Sequence, residues 1–291
     1  MIRQLTDSYP VERLCECLNV SKSAFYAYRA KHTYQPSAQQ LKLVQATKEC
    51  FYEHQRRYGS RRLVLDLQEQ GYEVGRHQLR KIMKANQLQA IQPRSFVPRT
   101  THSNHAGPYS PNLLLDRPAP TRPGQVLVGD ITYLALQGGE WAYMAGWLDL
   151  FSRKVSGWSV DEHMEEELVH NALQKAIAHN QLAKGSIVHS DRGGQYVGKA
   201  FRTTLRLHQF EQSMARADEV YDNAFIESYW SRLKAELVYQ RVFRSVADAR
   251  EQLFEYIELY YNRRRRHSSL GYVSPLQFEE AYYRNNLKTV S

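Results

Sequence analysis

Seven of the ten prolines in this 291-residue chain lie between Pro93 and Pro123. Proline has no amide donor and pushes the residue before it away from helix, so no helix or central strand runs through such a stretch. It therefore divides the chain, and residues 93–124 read as an extended linker. The two sides differ in charge. Up to Gly124 there are 19 Lys and Arg against 9 Asp and Glu, and from Gln125 onward 20 against 21, so the net +9 comes wholly from the first part. A basic first part suits a polyanion, and a near-neutral second part leaves carboxylates free for chemistry. Basic helices that merely solvate themselves give the same count.

Other classes are excluded early. No run approaches the roughly 20 apolar residues of a membrane span, and the apolar stretch from Tyr143 is broken at Asp149. Met1 and Arg3 lead into a polar segment and not into a secretory core. Cys15, Cys17 and Cys50 are too few for a disulfide framework and suit a reducing, cytoplasmic setting.

The first part reads as two helical units. Over residues 1–36, Val11, Leu14, Cys15 and Leu18 repeat at helical spacing, Asn19-Val20 interrupts, and Ser21 caps a second helix with Ala24, Phe25 and Tyr28. This is a helix-turn-helix pattern, shared by any small helical hairpin. Over residues 37–92, Leu41, Val44 and Phe51 mark one helix, Ser60 caps another that stops at Gly71, and Leu79, Ile82 and Met83 mark a third. Arg56, Arg57, Arg61, Arg62, Arg76, Arg80, Lys81 and Lys84 stud this unit, as a surface that contacts phosphates requires.

After the linker the hydrophobic period changes. Val126 to Tyr133 alternates, Gly138-Gly139 supplies a turn, and Trp141 to Leu150 and Val155 to Val160 continue as strands of a meander. A helix with Leu168, Val169, Ala172, Leu173, Ala176 and Ile177 follows, then a short strand Ile187-Val188-His189, a helix over 199–208, a strand near Phe210 to Met214, and helices over about 223–239 and 245–261. Such an order predicts a mixed sheet covered by helices on both faces, over residues 125–282, with a tail at 283–291.

Three carboxylates stand where a metal site is built on such a sheet. Asp130 is mid-strand and hard to bury unpaired, Asp191 ends the strand from Ile187 beside Gly193-Gly194, and Glu227 lies on a later helix. Hard oxygen ligands from separate elements suit Mg²⁺; singly, each also reads as a cap or an ion-paired residue.

The blocks around them resemble those of a known family. Gly-Asp-Ile-Thr-Tyr at 129–133, His-Ser-Asp-Arg-Gly-Gly-Gln-Tyr at 189–196 and the run from Asp222 to Glu236 are similar to the acidic blocks of DDE transposases. The 35 residues between Asp191 and Glu227 match the spacing of the class that includes retroviral integrases. Tyr261-Asn262, Arg266 to Tyr272 and Ser274-Pro275 resemble the terminal signature of the insertion-sequence-three family, OrfB type, and Leu14 to Ser21 and Tyr58 to Arg62 extend the likeness over nearly the whole chain. The resemblance implies an α/β ribonuclease H-like (integrase) core with a mixed sheet, preceded by an all-α helix-turn-helix region. It implies that Asp130, Asp191 and Glu227 hold two Mg²⁺ ions, with Mn²⁺ able to substitute, for strand cleavage and transfer. It further implies DNA as partner, both transposon ends and target, a homo-oligomer on that DNA, an upstream OrfA product as a possible second partner, and a location at the bacterial nucleoid. Gly129 departs from relatives, which often carry Thr or another side chain there.

Lys234 lies seven residues after Glu227, on almost the same helix face, and the matching position in the class is basic. It is expected to hold a DNA-end phosphate, and Arg192 is a weaker DNA candidate that also suits a carboxylate partner. His189 suits a strand-orienting role, Asp149 a structural ion pair with Arg153 or Lys154, and Asp222 a cap for the Glu227 helix. Arg263 to Arg266 fits either a DNA contact or a solvated face. Two other chemistries are disfavoured. Gly193 to Lys199 nearly spells a phosphate loop but is followed by Ala200, which lacks the Mg²⁺-binding hydroxyl. Cys15, Cys17 and the Cys50/His54 pair lack a zinc set and read as core. The non-enzymatic alternative is a DNA-binding regulator with an inactive core.

Overall fold

The computed structural model describes residues 2–30, 36–93, 109–115, 117–180, 182–216 and 224–288. The chain divides into two compact units, Met1–Ala90 and Ile91–Ser291. Among the described residues no helix is long and apolar enough to cross a membrane.

In the first unit, helices α1 (Ile2–Leu5), α2 (Val11–Cys17) and α3 (Lys22–Arg29) precede α4 (Ala38–Glu53), α5 (Ser60–Glu69) and α6 (Arg76–Ala85). The tight turn between α2 and α3 uses Asn19 at φ 53°, and the Ser21 hydroxyl accepts the Ala24 N–H at 3.1 Å, which caps α3. At α4 the buried stripe is Leu43, Ala46, Thr47, Cys50 and Phe51, which corrects the expected face: Leu41 is exposed. Those five residues fall at i, i+3, i+4, i+7 and i+8, which closes one stripe, and Leu41 falls outside it. Ser60 is the first residue of α5 and not its cap; Gly59 occupies the cap position in extended conformation without a side-chain bond. Leu63, Val64, Leu67, Leu79 and Met83 complete the buried set.

The second unit is built on a five-stranded sheet in the order β3-β2-β1-β4-β5. Strand β1 (Val126–Ala135) pairs antiparallel with β2 (Trp141–Asp149), and β2 with β3 (Val155–Asp161). On the other side β4 (Ile187–Ser190) runs parallel to β1, and β5 (Glu211–Met214) parallel to β4. Helix α7 (Glu166–His179) covers β2 and β3, and α8 (Lys199–Leu207) connects β4 to β5. Helix α9 (Ala224–Glu236) packs on β1. Helix α10 (Val246–Phe254) runs into a π-helical segment, Glu255–Tyr261, and α11 (Pro275–Lys288) ends the description. This is the ribonuclease H-like arrangement of a mixed sheet between helices. The expected tail boundary at 282/283 falls inside α11.

Pleating sends alternate residues to opposite faces. Gly129, Trp147 and Gly157 are cross-strand partners on the α7 face, and the glycines are there for space. A Cβ on Gly129 would overlap the Trp147 ring, and one on Gly157 the backbone of α7 at Ala172 and Ala176. The departure at Gly129 thus has a cause: Trp147, stacked on Phe201 at 5.8 Å, fills the volume a side chain would need.

The proline-rich stretch is not all linker. The Met214 N–H donates to the Pro111 carbonyl at 3.3 Å, the Leu113 N–H to the Ser213 hydroxyl at 2.8 Å, and the Ser110 hydroxyl to Gln212 at 3.1 Å. Residues 110–113 therefore lie along β5 and cover its outer edge, which an exposed edge strand requires.

Gly157→Ala is expected to destabilise the second unit by about 1–3 kcal/mol, because backbone cannot give way to the new methyl. All four tryptophans, Trp141, Trp147, Trp158 and Trp230, belong to that unit. Urea unfolding followed by their fluorescence isolates the effect.

Candidate functional site

The parallel pairing of β1 with β4 places the first two carboxylates. Val126, Leu127 and Val128 register with Ile187, Val188 and His189. Two residues further along both strands lie Asp130 and Asp191, so neighbouring chains about 5 Å apart bring them side by side. Asp191 sits just beyond β4, and its Oδ1 accepts the Gly193 N–H at 3.0 Å. Glu227, in the first turn of α9, comes from above β1.

Electrostatics link the three. Burial, then the charge of Asp191, then that of Glu227 push the Asp130 carboxyl up to about 7, against the hydrogen bonds from Ile131 and Trp230 that favour its charged form. Burial also raises Asp191 and Glu227. A buried carboxyl raised by the charges of two others forms a donor set with them for a cation: each is a hard oxygen ligand, and a divalent ion removes the repulsion on Asp130. The residues present fit such an ion.

One turn after Glu227, the buried Trp230 donates its Nε1–H to Asp130 Oδ2 at 3.0 Å. Trp230 stands within the acidic block, but nothing in its spacing marked it. A further turn on, Lys234 lies over the Tyr133 ring at 5.4 Å; burial lowers its pKa and Asp130 raises it, so it shares the field of the site.

Helix α9 is fixed at its far end by an element that sequence reading placed at the surface. Arg265, within the run Arg263 to Arg266, is buried and donates to both Glu236 oxygens, with Nε–Oε2 at 2.9 Å. The Tyr256 hydroxyl donates to the same carboxylate at 2.9 Å. Arg263 and Arg264 are exposed, and Arg266 donates to the Tyr272 carbonyl at 3.0 Å. Sequence alone gave no signal that one Arg of four turns inward.

Other expected roles are corrected. Asp149 is not held by an ion pair. It is buried and accepts the Gly124 N–H at 2.6 Å, the Ser152 N–H at 2.7 Å and the Ser152 hydroxyl at 3.0 Å, while Lys154 pairs with Glu279 at 2.9 Å. Among the described residues Arg192 meets no carboxylate: its Nε–H donates to the Ala215 carbonyl at 2.9 Å and its guanidinium lies over Tyr109 at 5.0 Å. His189 bonds through Nδ1 to Ser213 at 2.8 Å, its cross-strand partner. Asp222 lies outside the described residues. At the near-match to a phosphate loop, the N-terminus of α8 is taken by a carboxylate: Glu166 accepts the Phe201 N–H at 2.7 Å, where an anion would have to bind.

In the first unit, Arg76, Arg80, Lys81 and Lys84 are exposed on α6, Arg61 is exposed on α5, and Arg62 lies over the Tyr58 ring at 5.4 Å. Cys50 and His54 do acquire a third partner there, Asp66. His54 Nε2 is 2.6 Å from Asp66 Oδ2, a direct hydrogen bond, and the ring stacks on Tyr58 at 3.8 Å. Ligands about 2.1 Å from a tetrahedral ion lie about 3.4 Å apart, so the bonded pair leaves no place for zinc between them. It ties α4 to α5.

Residues 120–219 and 208–275 match the integrase core domain, and residues 38–96 an HTH-like domain. The chain is 38% identical over 270 residues to the insertion element IS600 uncharacterized 31 kDa protein of Shigella sonnei, covering 93% of this chain and 98% of that one. It is 36% identical over 273 residues to transposase InsF for insertion sequence IS3A of Escherichia coli K12, covering 93% and 94%. It is 36% identical over 250 residues to the transposase of element IS904 of Lactococcus lactis, covering 84% and 97%. Among solved structures it is similar to a simian T-cell lymphotropic virus intasome, with TM-score 0.46, 16% identity and 80% of this chain and 74% of that one covered. The catalytic core domain of BIV integrase has TM-score 0.42 and 12% identity, with 56% and 99% covered.

The raised Asp130 pKa carries a sign that can be checked without substrate. A carboxyl at about 7 in the folded protein and near 3.8 otherwise is protonated preferentially by the folded state, so stability falls as pH rises from about 4 to 7. In EDTA, the melting temperature of Asp130→Asn relative to the wild type is expected to rise by several degrees between pH 5 and pH 8, as read by differential scanning calorimetry.

Proposed function

Because the chain belongs to the IS3 family of insertion-sequence transposases, with an integrase core, we propose that it cuts and joins DNA strands by metal-dependent phosphodiester chemistry at Asp130, Asp191 and Glu227. The observation that carries this reading is the convergence of the three: parallel register sets Asp130 beside Asp191, and both Asp191 and Glu227 repel the Asp130 charge. A regulator built on an inactive core would gain nothing from keeping that repulsion.

Asp130, Asp191 and Glu227 would together hold two Mg²⁺ ions, or Mn²⁺ in their place, with Asp130 the central ligand of the three. When bound, the cations supply the Lewis acidity that activates a water or 3′-hydroxyl and neutralises charge on the leaving 3′-oxygen. The chain's own residues bind and orient. Lys234, half-buried about two helical turns past Glu227, places its ammonium for a phosphate of the transposon end. Arg76, Arg80, Arg61 and Arg62 supply cations for duplex phosphates, as four exposed or half-exposed arginines on two helices allow; Arg192 contributes from the rim of the core. Two ends and a target require more than one copy on DNA, and an upstream OrfA product is a further partner.

Asp130→Asn, Asp191→Asn and Glu227→Gln are each expected to abolish Mg²⁺-dependent cleavage and joining of the element's own ends while leaving duplex binding unchanged. Wild-type activity in any one removes that residue from the site. Lys234→Ala is expected to lower end cleavage by about 10- to 100-fold, the worth of a charged hydrogen bond, with Lys234→Arg intermediate and melting temperatures little changed. Replacing both Arg76 and Arg80 by Ala should reduce the slope of log K against log salt by about 2, as measured by fluorescence anisotropy; an unchanged slope would take DNA away from α6.

A further inference from the structure

We propose that Trp230 is a positioning residue for this reaction: its indole N–H aims the Asp130 carboxylate at the cation site. The inference rests on the reading of Asp130 as a metal ligand.

Three features support it. The contact itself is direct, Nε1 to Oδ2 at 3.0 Å, and Trp230 stands one turn past Glu227, so a single helix delivers both a ligand and the group that orients another ligand. The sheet makes room for it. Gly146 is the cross-strand partner of Asp130, and a Cβ there would come within 2.8 Å of Trp230 Cη2; the indole reaches the carboxylate only because β2 carries no side chain at that point. The helix is also held in rotation, since Glu236 at its end is gripped by the buried Arg265, and Tyr229 beside Trp230 packs on Tyr261 at 5.0 Å. A turn of one residue, about 100°, would carry the indole away from Asp130.

The chemistry of the donor suits this role. An indole N–H donates only, carries no charge and has no oxygen of its own to offer a cation. Arg or Lys in its place would neutralise Asp130 and weaken its hold on a metal, and Asn or Gln would add a competing ligand. Trp fixes the plane of the carboxylate, occupies one oxygen from one side, and leaves the full negative charge.

Trp230→Phe keeps the ring and removes the donor. With full-length protein and no DNA, the expected result is an EDTA melting temperature close to wild type and a Kd for Mn²⁺, by isothermal titration calorimetry, raised about 10-fold or more, the usual effect of losing a group that orients a ligand. End cleavage by the variant should recover at saturating Mn²⁺. An unchanged Mn²⁺ Kd in W230F overturns the positioning role alone; a wild type that binds no Mn²⁺ overturns the reading of Asp130 and this inference with it. If W230F does not fold, indole ¹⁵N–¹H spectra of the wild type decide. Of the four tryptophan signals, Mg²⁺ should shift one far more than the others, and not in Asp130→Asn; a uniform response overturns the proposal.

Discussion

The parallel pairing of β1 with β4 is the constraint on which the rest of the second unit depends. It joins an antiparallel meander, which any three alternating segments can form, to a strand that returns only after a long crossover through α7. That register carries Asp130 and Asp191 to the same level of the sheet. A slip of one residue would send Asp130 to the α7 face, where Gly129 makes room for Trp147. Apolar packing on one face therefore fixes the polar site on the other.

The third carboxylate depends on a different kind of restraint. Glu227 belongs to a helix and not to the sheet, and its position follows from how α9 is anchored. Trp230 meets Asp130 at the middle of the helix, and Arg265 and Tyr256 meet Glu236 at its end. The buried Arg265–Glu236 pair is worth little as net stability, yet losing one partner would strand a charge in the interior, at about 3–5 kcal/mol. Tyr256 and Tyr261 reach this cluster from the π-helical segment Glu255–Tyr261, where the wider turn changes which side chains share a face. The terminal signature of the chain thus acts as the seat of α9.

In the first unit the corresponding tie is the hydrogen bond between His54, at the end of α4, and Asp66 on α5. It leaves the arginines and lysines of α5 and α6 to solvent while their apolar stripes, centred on Leu63, Leu67 and Leu79, close the interior. Separating an apolar face from a charged one is what lets a small helical unit present cations without unfolding itself.

Much of this was legible in the residues. The change from helical to alternating period near Gln125 and the strands of the meander follow from local pattern, because hydrophobic period reports which face is buried wherever an element lies; the three acidic blocks were legible through their resemblance to a known family. The likeness of the blocks and of their spacing to the family's singled out the three carboxylates proposed as the site. What the sequence could not carry is anything set by contact between distant segments. That residues 110–113 cover β5, that Arg265 turns inward while Arg263 and Arg264 do not, that Asp149 closes a turn through Gly124 and Ser152, and that Gly146 clears a path from Trp230 to Asp130 were decided by tertiary structure. Each is a choice among partners that are equally available in the unfolded chain, and only the packing of the sheet against its helices brings one of them within hydrogen-bonding distance.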